Sequence, residues 1–149
     1  MVVPDVPAAL NQALEGLVRV NAAMLVAGLL VGRPVPPLYR SPIRYKQEPP
    51  GREWWQTVAD NQVEPIADCE DLACHRVGEL RIGPVWTVGG VEEAIERFGL
   101  HELLGGVLYP ARAVCKRTGK RTYHALVEHP DGRIEDPSLV LGMKRRRRP

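Results

Sequence analysis

Six prolines between residues 34 and 50 decide how this chain can be divided. They are Pro34, Pro36, Pro37, Pro42, Pro49 and Pro50. Each pushes the residue before it out of the helical region, so residues 33–52 read as an extended, non-helical connector. With Arg33, Arg40, Arg44, Lys46 and Arg52 it is also basic and could contact an acidic partner, but the expectation is a solvated arm packed along the domain. Upstream, residues 5–32 read as one long helix. Leu10, Leu14, Leu17, Val18, Met24, Leu25 and Leu29 recur at three- and four-residue steps. Pro7 suits a first turn, Asp5 or Val6 precedes it as the cap, and Gly32 and Pro34 end the helix. The C-terminal half is apolar nearly all round, which implies burial against the domain or a second subunit. The apolar run over residues 22–32 falls short of the ~20 residues of a membrane span, so a buried helix is expected and no membrane contact.

Beyond the connector the period changes along the chain. Residues 53–62 read as a short helix or turn carrying Trp54 and Trp55. Residues 69–82 form a helix that starts at Asp68 and ends near Gly83 and Pro84. Residues 91–104 suggest another, broken at Gly99. From residue 107 the pattern alternates. Residues 107–118, 121–129 and 133–136 read as strands separated by Gly119 and by Pro130-Asp131-Gly132. Helices first and an antiparallel sheet after them make an α+β fold. The divisions are thus a helix (1–33), a proline-rich basic arm (34–52), a domain (53–143) and a basic tail (144–149).

Composition excludes the larger alternatives. The chain has 149 residues, 44% hydrophobic and 26% charged, as in a soluble globular domain. A chain of this size buries roughly 70% of its unfolded surface, so it needs no disulfide staples. Its three cysteines, Cys69, Cys74 and Cys115, are odd in number and show no framework spacing. The first residues lack the basic segment of a secretory signal, so a reduced, cytoplasmic protein is expected. The net charge of +2 is concentrated in Lys144, Arg145, Arg146, Arg147 and Arg148; without them the chain is mildly acidic. Nucleic-acid binding over the whole surface is therefore not supported, although the tail itself suits phosphate, nucleic acid or an acidic protein face.

Chemistry concentrates at Asp68-Cys69-Glu70-Asp71-Leu72-Ala73. Asp68 is a good N-cap, which makes Cys69 the first helical residue. Unpaired N–H groups and the helix dipole favour an anion there and lower a thiol pKa. Glu70 and Asp71 oppose that, so a cationic partner such as a protonated histidine is needed. Leu72, Ala73, Arg76, Val77 and Leu80 lie below Cys69 on one stripe, expected to face the sheet, with the opposite face more polar.

The hairpin decides which histidine can meet that cysteine. A two-residue Asp131-Gly132 loop pairs Pro130 with Arg133 and brings Glu135 to the face of His124. A three-residue Pro130-Asp131-Gly132 loop pairs His129 with Arg133 and Leu126 with Asp136 instead. The second register is preferred, because proline suits the first turn position and glycine the left-handed one. It makes Asp136 a diagonal neighbour of His124. It also puts Leu126 and Ile134 on the His124 face as the expected seat for the helix. Cys69, His124 and Asp136 then form a nucleophile, base and orienting acid.

Asp68-Cys69-Glu70-Asp71-Leu72-Ala73, then Tyr123-His124-Ala125, then Asp131-Gly132-Arg133-Ile134-Glu135-Asp136-Pro137-Ser138, resemble the transglutaminase-like cysteine peptidases of bacteria and their phages. The resemblance covers about residues 54–143. It implies a papain-like core, a catalytic Cys69–His124–Asp136 triad, amide bonds of peptides or proteins as substrate, and no cofactor or metal. The proline-rich approach is similar to that of small prophage-encoded proteins. Ala67 stands where the family usually has glycine, and residues 83–110 are longer than the family pattern.

Other candidates are weaker in pattern. Gln62 or Asn61 offers a side-chain amide to an oxyanion, as does the Cys69 N–H. Trp55 could line a substrate groove, but core packing is the expectation for at least two of Trp54, Trp55 and Trp86. Cys69, Cys74 and His75 cannot converge on one metal ion, because Cys74 lies ~140° and His75 ~240° around the helix from Cys69. His101, Cys115 and His129 are read as unrelated to the site. A competing class is a non-enzymatic assembly protein on the same fold, such as a phage head or tail component. In that reading residues 5–52 would contact further copies or phage structural proteins.

Overall fold

A computed structural model describes residues 6–49, 54–119 and 122–144. Asp5, Pro50, Arg52 and the cations Arg145, Arg146, Arg147 and Arg148 lie outside the described residues. Helix α1 spans Val6–Leu30, as its leucine spacing requires. Leu14, Val18, Ala22, Leu25 and Val26 form its buried stripe. By length and composition α1 is apolar enough over Pro7–Leu30 to cross a membrane, which the shorter 22–32 run understates. Its C-terminal half is not buried all round, because Val20 and Leu30 are exposed.

The connector packs along the domain, as expected, and adds short regular elements of its own. Leu38–Arg40 make one 3-10 turn, entered from Pro37 at ψ 138°. Strand β1 (Arg44–Tyr45) pairs in parallel with β2 (Ile66–Ala67), after helix α2 (Val58–Val63). Leu38 and Ile43 are fully buried and pack with Ala67, Leu72 and Leu141 in a core of their own. Burying two large side chains adds roughly 1.5–3 kcal/mol each. The connector therefore belongs to the same folded unit as the residues on either side.

Helix α3 (Cys69–Ile82) is the central element. Asp68 caps it in a reciprocal box: its carboxylate accepts the Asp71 N–H at 3.2 Å, while the Asp71 carboxylate accepts the Asp68 N–H. The face of α3 opposite Cys69 is the more polar one, as expected, with Asp71, His75 and Arg81, and it too is buried. Ala73, Cys74 and Val77 pack with α1 and the sheet. Gly78 lies where a Cβ would sit 3.2 Å from the Ala22 backbone N, so its lack of a side chain lets α1 cross closely. The apparently polar residues are paired inside: the Arg81 guanidinium donates to Glu15 at 2.9 and 2.8 Å, to the Ala111 carbonyl at 2.9 Å and to the Leu104 carbonyl at 3.0 Å. A charge this buried is tolerated because its donors are matched.

A 3-10 segment (Gly83–Val88), α4 (Val91–Phe98) and α5 (Leu100–Leu104) cover the far end of α1. The break between α4 and α5 falls at Gly99, whose φ of 86° is left-handed. Residues 107–111 are not strand. Pro110 has no N–H to donate to a ladder, and β3 begins only at Arg112. Strands β3 (Arg112–Arg117), β4 (Tyr123–Glu128) and β5 (Ile134–Glu135) form an antiparallel sheet in the order 3-4-5. Helix α6 (Pro137–Val140) follows. The architecture is mixed helix and sheet, with a long N-terminal helix beside a small antiparallel sheet.

The hairpin takes the three-residue loop. Val127 opposes Glu135 and Glu128 opposes Ile134, and the His129 N–H donates to the Arg133 carbonyl at 2.9 Å. Gly132 sits at φ 84° and closes the turn to the His129 carbonyl. The face that receives α3 is Ala125 and Val127, not Leu126 and Ile134. Alanine and valine permit a close helix–sheet approach, whereas Ile134 is 41% exposed.

Candidate active site

Strand alternation places Glu135 on the helix side of the hairpin and Asp136 on the outer side. Asp136 opposes Leu126 by register and so shares a face with His124. The His124 Nε2–H donates to Asp136 Oδ2 at 2.9 Å. The other carboxylate oxygen of Asp136 accepts the Ser138 and Leu139 N–H groups at 3.1 and 3.4 Å as the N-cap of α6. One carboxylate thus ends the strand, starts a helix and fixes the imidazole. With its Nε2 proton so held, the ring presents its lone pair at Nδ1.

Cys69 lies on the helix side of the sheet and the His124–Asp136 pair on the outer side, and among the described residues no hydrogen bond joins Cys69 to His124, in contrast to the expected line of three. Strand β5 ends at Glu135, and the next residue that would pair with Ala125 is Pro137, which lies in α6. The Ala125 N–H is therefore left free by the ladder, and it lies close enough to the Cys69 sulfur to favour its thiolate. Sequence spacing indicated a helix tip beside the hairpin but not this donor, which follows from how short β5 is.

The thiol environment differs from the expectation of a lowered pKa. The Cys69 Sγ–H donates to Glu70 Oε2 at 3.1 Å. Burial, and next the Glu70 charge, push the thiol well above its ordinary range; the Ala125 N–H pulls the other way and does not prevail. Burial is the largest of these influences and outweighs the helix dipole, with Glu70 second and Asp68 the smallest. Burial and neighbouring carboxylates hold Asp68 above the ordinary carboxylate range, and burial holds Asp71 above it. Tyr45 on β1 also faces this point. Burial, then the charges of Cys69, Asp68, Glu70 and Asp136, raise its phenol. Tyr45 was invisible as a site residue because it lies in the connector, far away along the chain.

The weaker candidates separate from the site. Asn61 is fully buried in the core, with Nδ2 3.4 Å from His75 Nδ1. It is not free to meet an oxyanion. Gln62 is exposed on the surface of α2. Trp55 is half-buried and packs on the same core cluster as Cys69. Trp54 and Trp86 are 71% and 68% exposed, so core packing describes neither. A cavity of roughly 220 Å³ lies on the Asp68 side of the helix start, lined by Trp54, Gln56, Asp68 and Asp71 among others, and does not reach Cys69.

His129 answers to the second hairpin carboxylate. Its Nε2–H donates to Glu135 Oε2 at 2.7 Å, and the Tyr109 hydroxyl donates to its Nδ1 at 2.6 Å. Glu135 Oε1 also accepts from Arg76 Nε at 2.7 Å and from the Tyr39 hydroxyl. The two hairpin histidines therefore sit on separate carboxylates. Compared with known proteins, the chain matches no family model, no curated protein and no solved structure.

Proposed function

We propose that this chain is a transglutaminase-like thiol enzyme on a papain-like core, acting on amide bonds of peptides or proteins. The observation that carries the reading is the 2.9 Å bond from His124 to Asp136, with the N–H of the next residue, Ala125, favouring the thiolate of the helix-start Cys69. In this mechanism His124 takes the thiol proton at Nδ1, and Asp136 stabilises the imidazolium that forms. The Cys69 sulfur attacks the carbonyl carbon, and the oxyanion develops beside the Cys69 N–H, which has no intrahelical acceptor at the first helical position. The C–N bond breaks as His124 returns the proton to the departing amine, leaving a thioester. Water or an acceptor amine then releases the acyl group by the reverse sequence.

The test is labelling by a thiol-directed acyl probe near neutral pH, read at Cys69 by mass spectrometry. Cys69→Ala is expected to abolish the signal; labelling of equal strength in that variant would overturn the proposal. The second reading, an assembly protein on the same fold, is favoured by the Glu70 grip on the thiol and by the exposed Val20 and Leu30 of α1 and Val31 just after it. It predicts a native mass of several chains and a wild-type Cys69 that the probe does not label.

A further inference from the structure

The Cys69 helix and the His124–Asp136 pair occupy opposite faces of one thin sheet. Something must set their spacing. Strand β5 cannot do so through its backbone, because its ladder with β4 is two residue pairs long. Helix α6, which Asp136 caps, is a single turn.

We propose that Glu135 is a positioning residue that ties α3 to the His124–Asp136 pair; its catalytic relevance rests on the thiol-enzyme reading above. Glu135 and Asp136 are consecutive, so their side chains leave the chain on opposite faces. The outer one holds His124. The inner one reaches Arg76 of α3, two turns below Cys69 on the same stripe, at 2.7 Å. Glu135 also gathers the Tyr39 hydroxyl from the connector and His129 from the end of β4. The Arg76 guanidinium lies 4.9 Å from the centre of the Tyr39 ring and donates to Glu79 at 3.2 Å, which fixes it against its own helix.

Proton directions are set as well. The Tyr109 hydroxyl and Arg133 Nη2 (3.3 Å) both lie against His129 Nδ1, and guanidinium can only donate. His129 Nδ1 therefore accepts, and its Nε2–H is directed at Glu135. The carboxylate receives three donors from three other parts of the chain. A shift of β5 along its axis would break all three, so the hub fixes where Asp136 stands relative to Cys69. Placement errors on the ångström scale cost up to about 100-fold in rate.

The test compares Glu135→Gln and Tyr39→Phe with wild type. Glu135→Gln turns an amide N–H against one of the donors, and Tyr39→Phe removes one bond and leaves the charge. Two readouts are taken on each folded variant: the His124 ring resonances by NMR, and the rate of iodoacetamide alkylation at Cys69. The expectation is displaced His124 resonances in both variants, with alkylation slowed about tenfold in Glu135→Gln and less in Tyr39→Phe. Should Glu135→Gln fail to fold, Tyr39→Phe decides. Unchanged His124 resonances in the folded variants would overturn the proposal, because a merely stabilising residue leaves the folded site where it was. If His124→Ala leaves Cys69 alkylation at the wild-type rate, the thiol-enzyme reading fails, while displaced resonances in Tyr39→Phe would still support the hub.

Discussion

One hairpin carries two imidazole–carboxylate pairs of nearly equal length, 2.9 Å for His124–Asp136 and 2.7 Å for His129–Glu135. Their surroundings differ. The side chains of the first pair are 17% and 17% exposed, and those of the second 2% and 14%. Glu135 is filled by Tyr39, Arg76 and His129, and the second nitrogen of His129 is filled by Tyr109. Asp136 spends its other oxygen on local backbone, and no side chain among the described residues hydrogen-bonds to His124 Nδ1. A histidine whose two nitrogens are both engaged inside the protein is a structural group. One with a free basic nitrogen can take up a proton.

The sharpest way to break this contrast is to delete each imidazole in turn. His124→Ala is expected to slow acyl labelling of Cys69 by at least about 100-fold, the lower end for loss of a general base. Its cost in stability should be small, since the ring is partly exposed. His129→Ala should reverse the pattern. It leaves Glu135 and Tyr109 each short of a partner, at roughly 1–3 kcal/mol each, and the folded fraction should label only slightly more slowly, as in Tyr39→Phe, because Glu135 keeps two of its three donors. Urea unfolding and labelling on the same samples measure both quantities. A variant of His129 that silences Cys69 in a folded protein would erase the distinction.

Much of this contrast was legible in the residues. Proline at 130 and glycine at 132 select a three-residue loop, and that loop alone puts Asp136 rather than Glu135 with His124. Asp68 before an apolar stripe likewise marks the start of α3. Two things were not legible. Pattern reading assigned Leu126 and Ile134 to the helix face on hydrophobicity, yet Ala125 and Val127 hold that position because small side chains let α3 approach. Arg76, Tyr39 and Glu135 meet only through tertiary folding, from positions far apart in the chain, and no local period announces such a meeting. The thiol environment was half legible. The opposition of Glu70 to thiolate formation follows from its place in the sequence, whereas the burial that outweighs the helix dipole does not.

Glu70 sharpens the contrast from the cysteine side. It accepts the Cys69 proton in the resting protein, so His124 competes with a carboxylate for the same hydrogen. Its charge raises the thiol pKa; removing that charge lowers it. Cysteine alkylation rises as pH passes the thiol pKa, because the thiolate is the nucleophile. The Glu70→Gln variant should therefore shift the pH profile of Cys69 alkylation toward lower pH, with a rate at neutral pH about tenfold above wild type, as expected for a shift of about one pKa unit. An unmoved profile would mean that burial alone holds the thiol protonated.

The smallest effect belongs to the outermost partner of the closed pair. Tyr109→Phe removes the hydroxyl that donates to His129 Nδ1 and leaves the ring packed at 5.8 Å from the imidazole. The lost hydrogen bond is worth about 1 kcal/mol. Arg133 Nη2, already 3.3 Å from the same nitrogen, can take over part of the donation and so lower the cost. His129 keeps its Nε2 proton on Glu135 in either case, so the hub still holds β5 in place. Urea unfolding of Tyr109→Phe should show a loss of about 1 kcal/mol or less, with Cys69 alkylation unchanged. A slower Cys69 in this variant would show that the two pairs are coupled through the hairpin more tightly than their separate carboxylates imply.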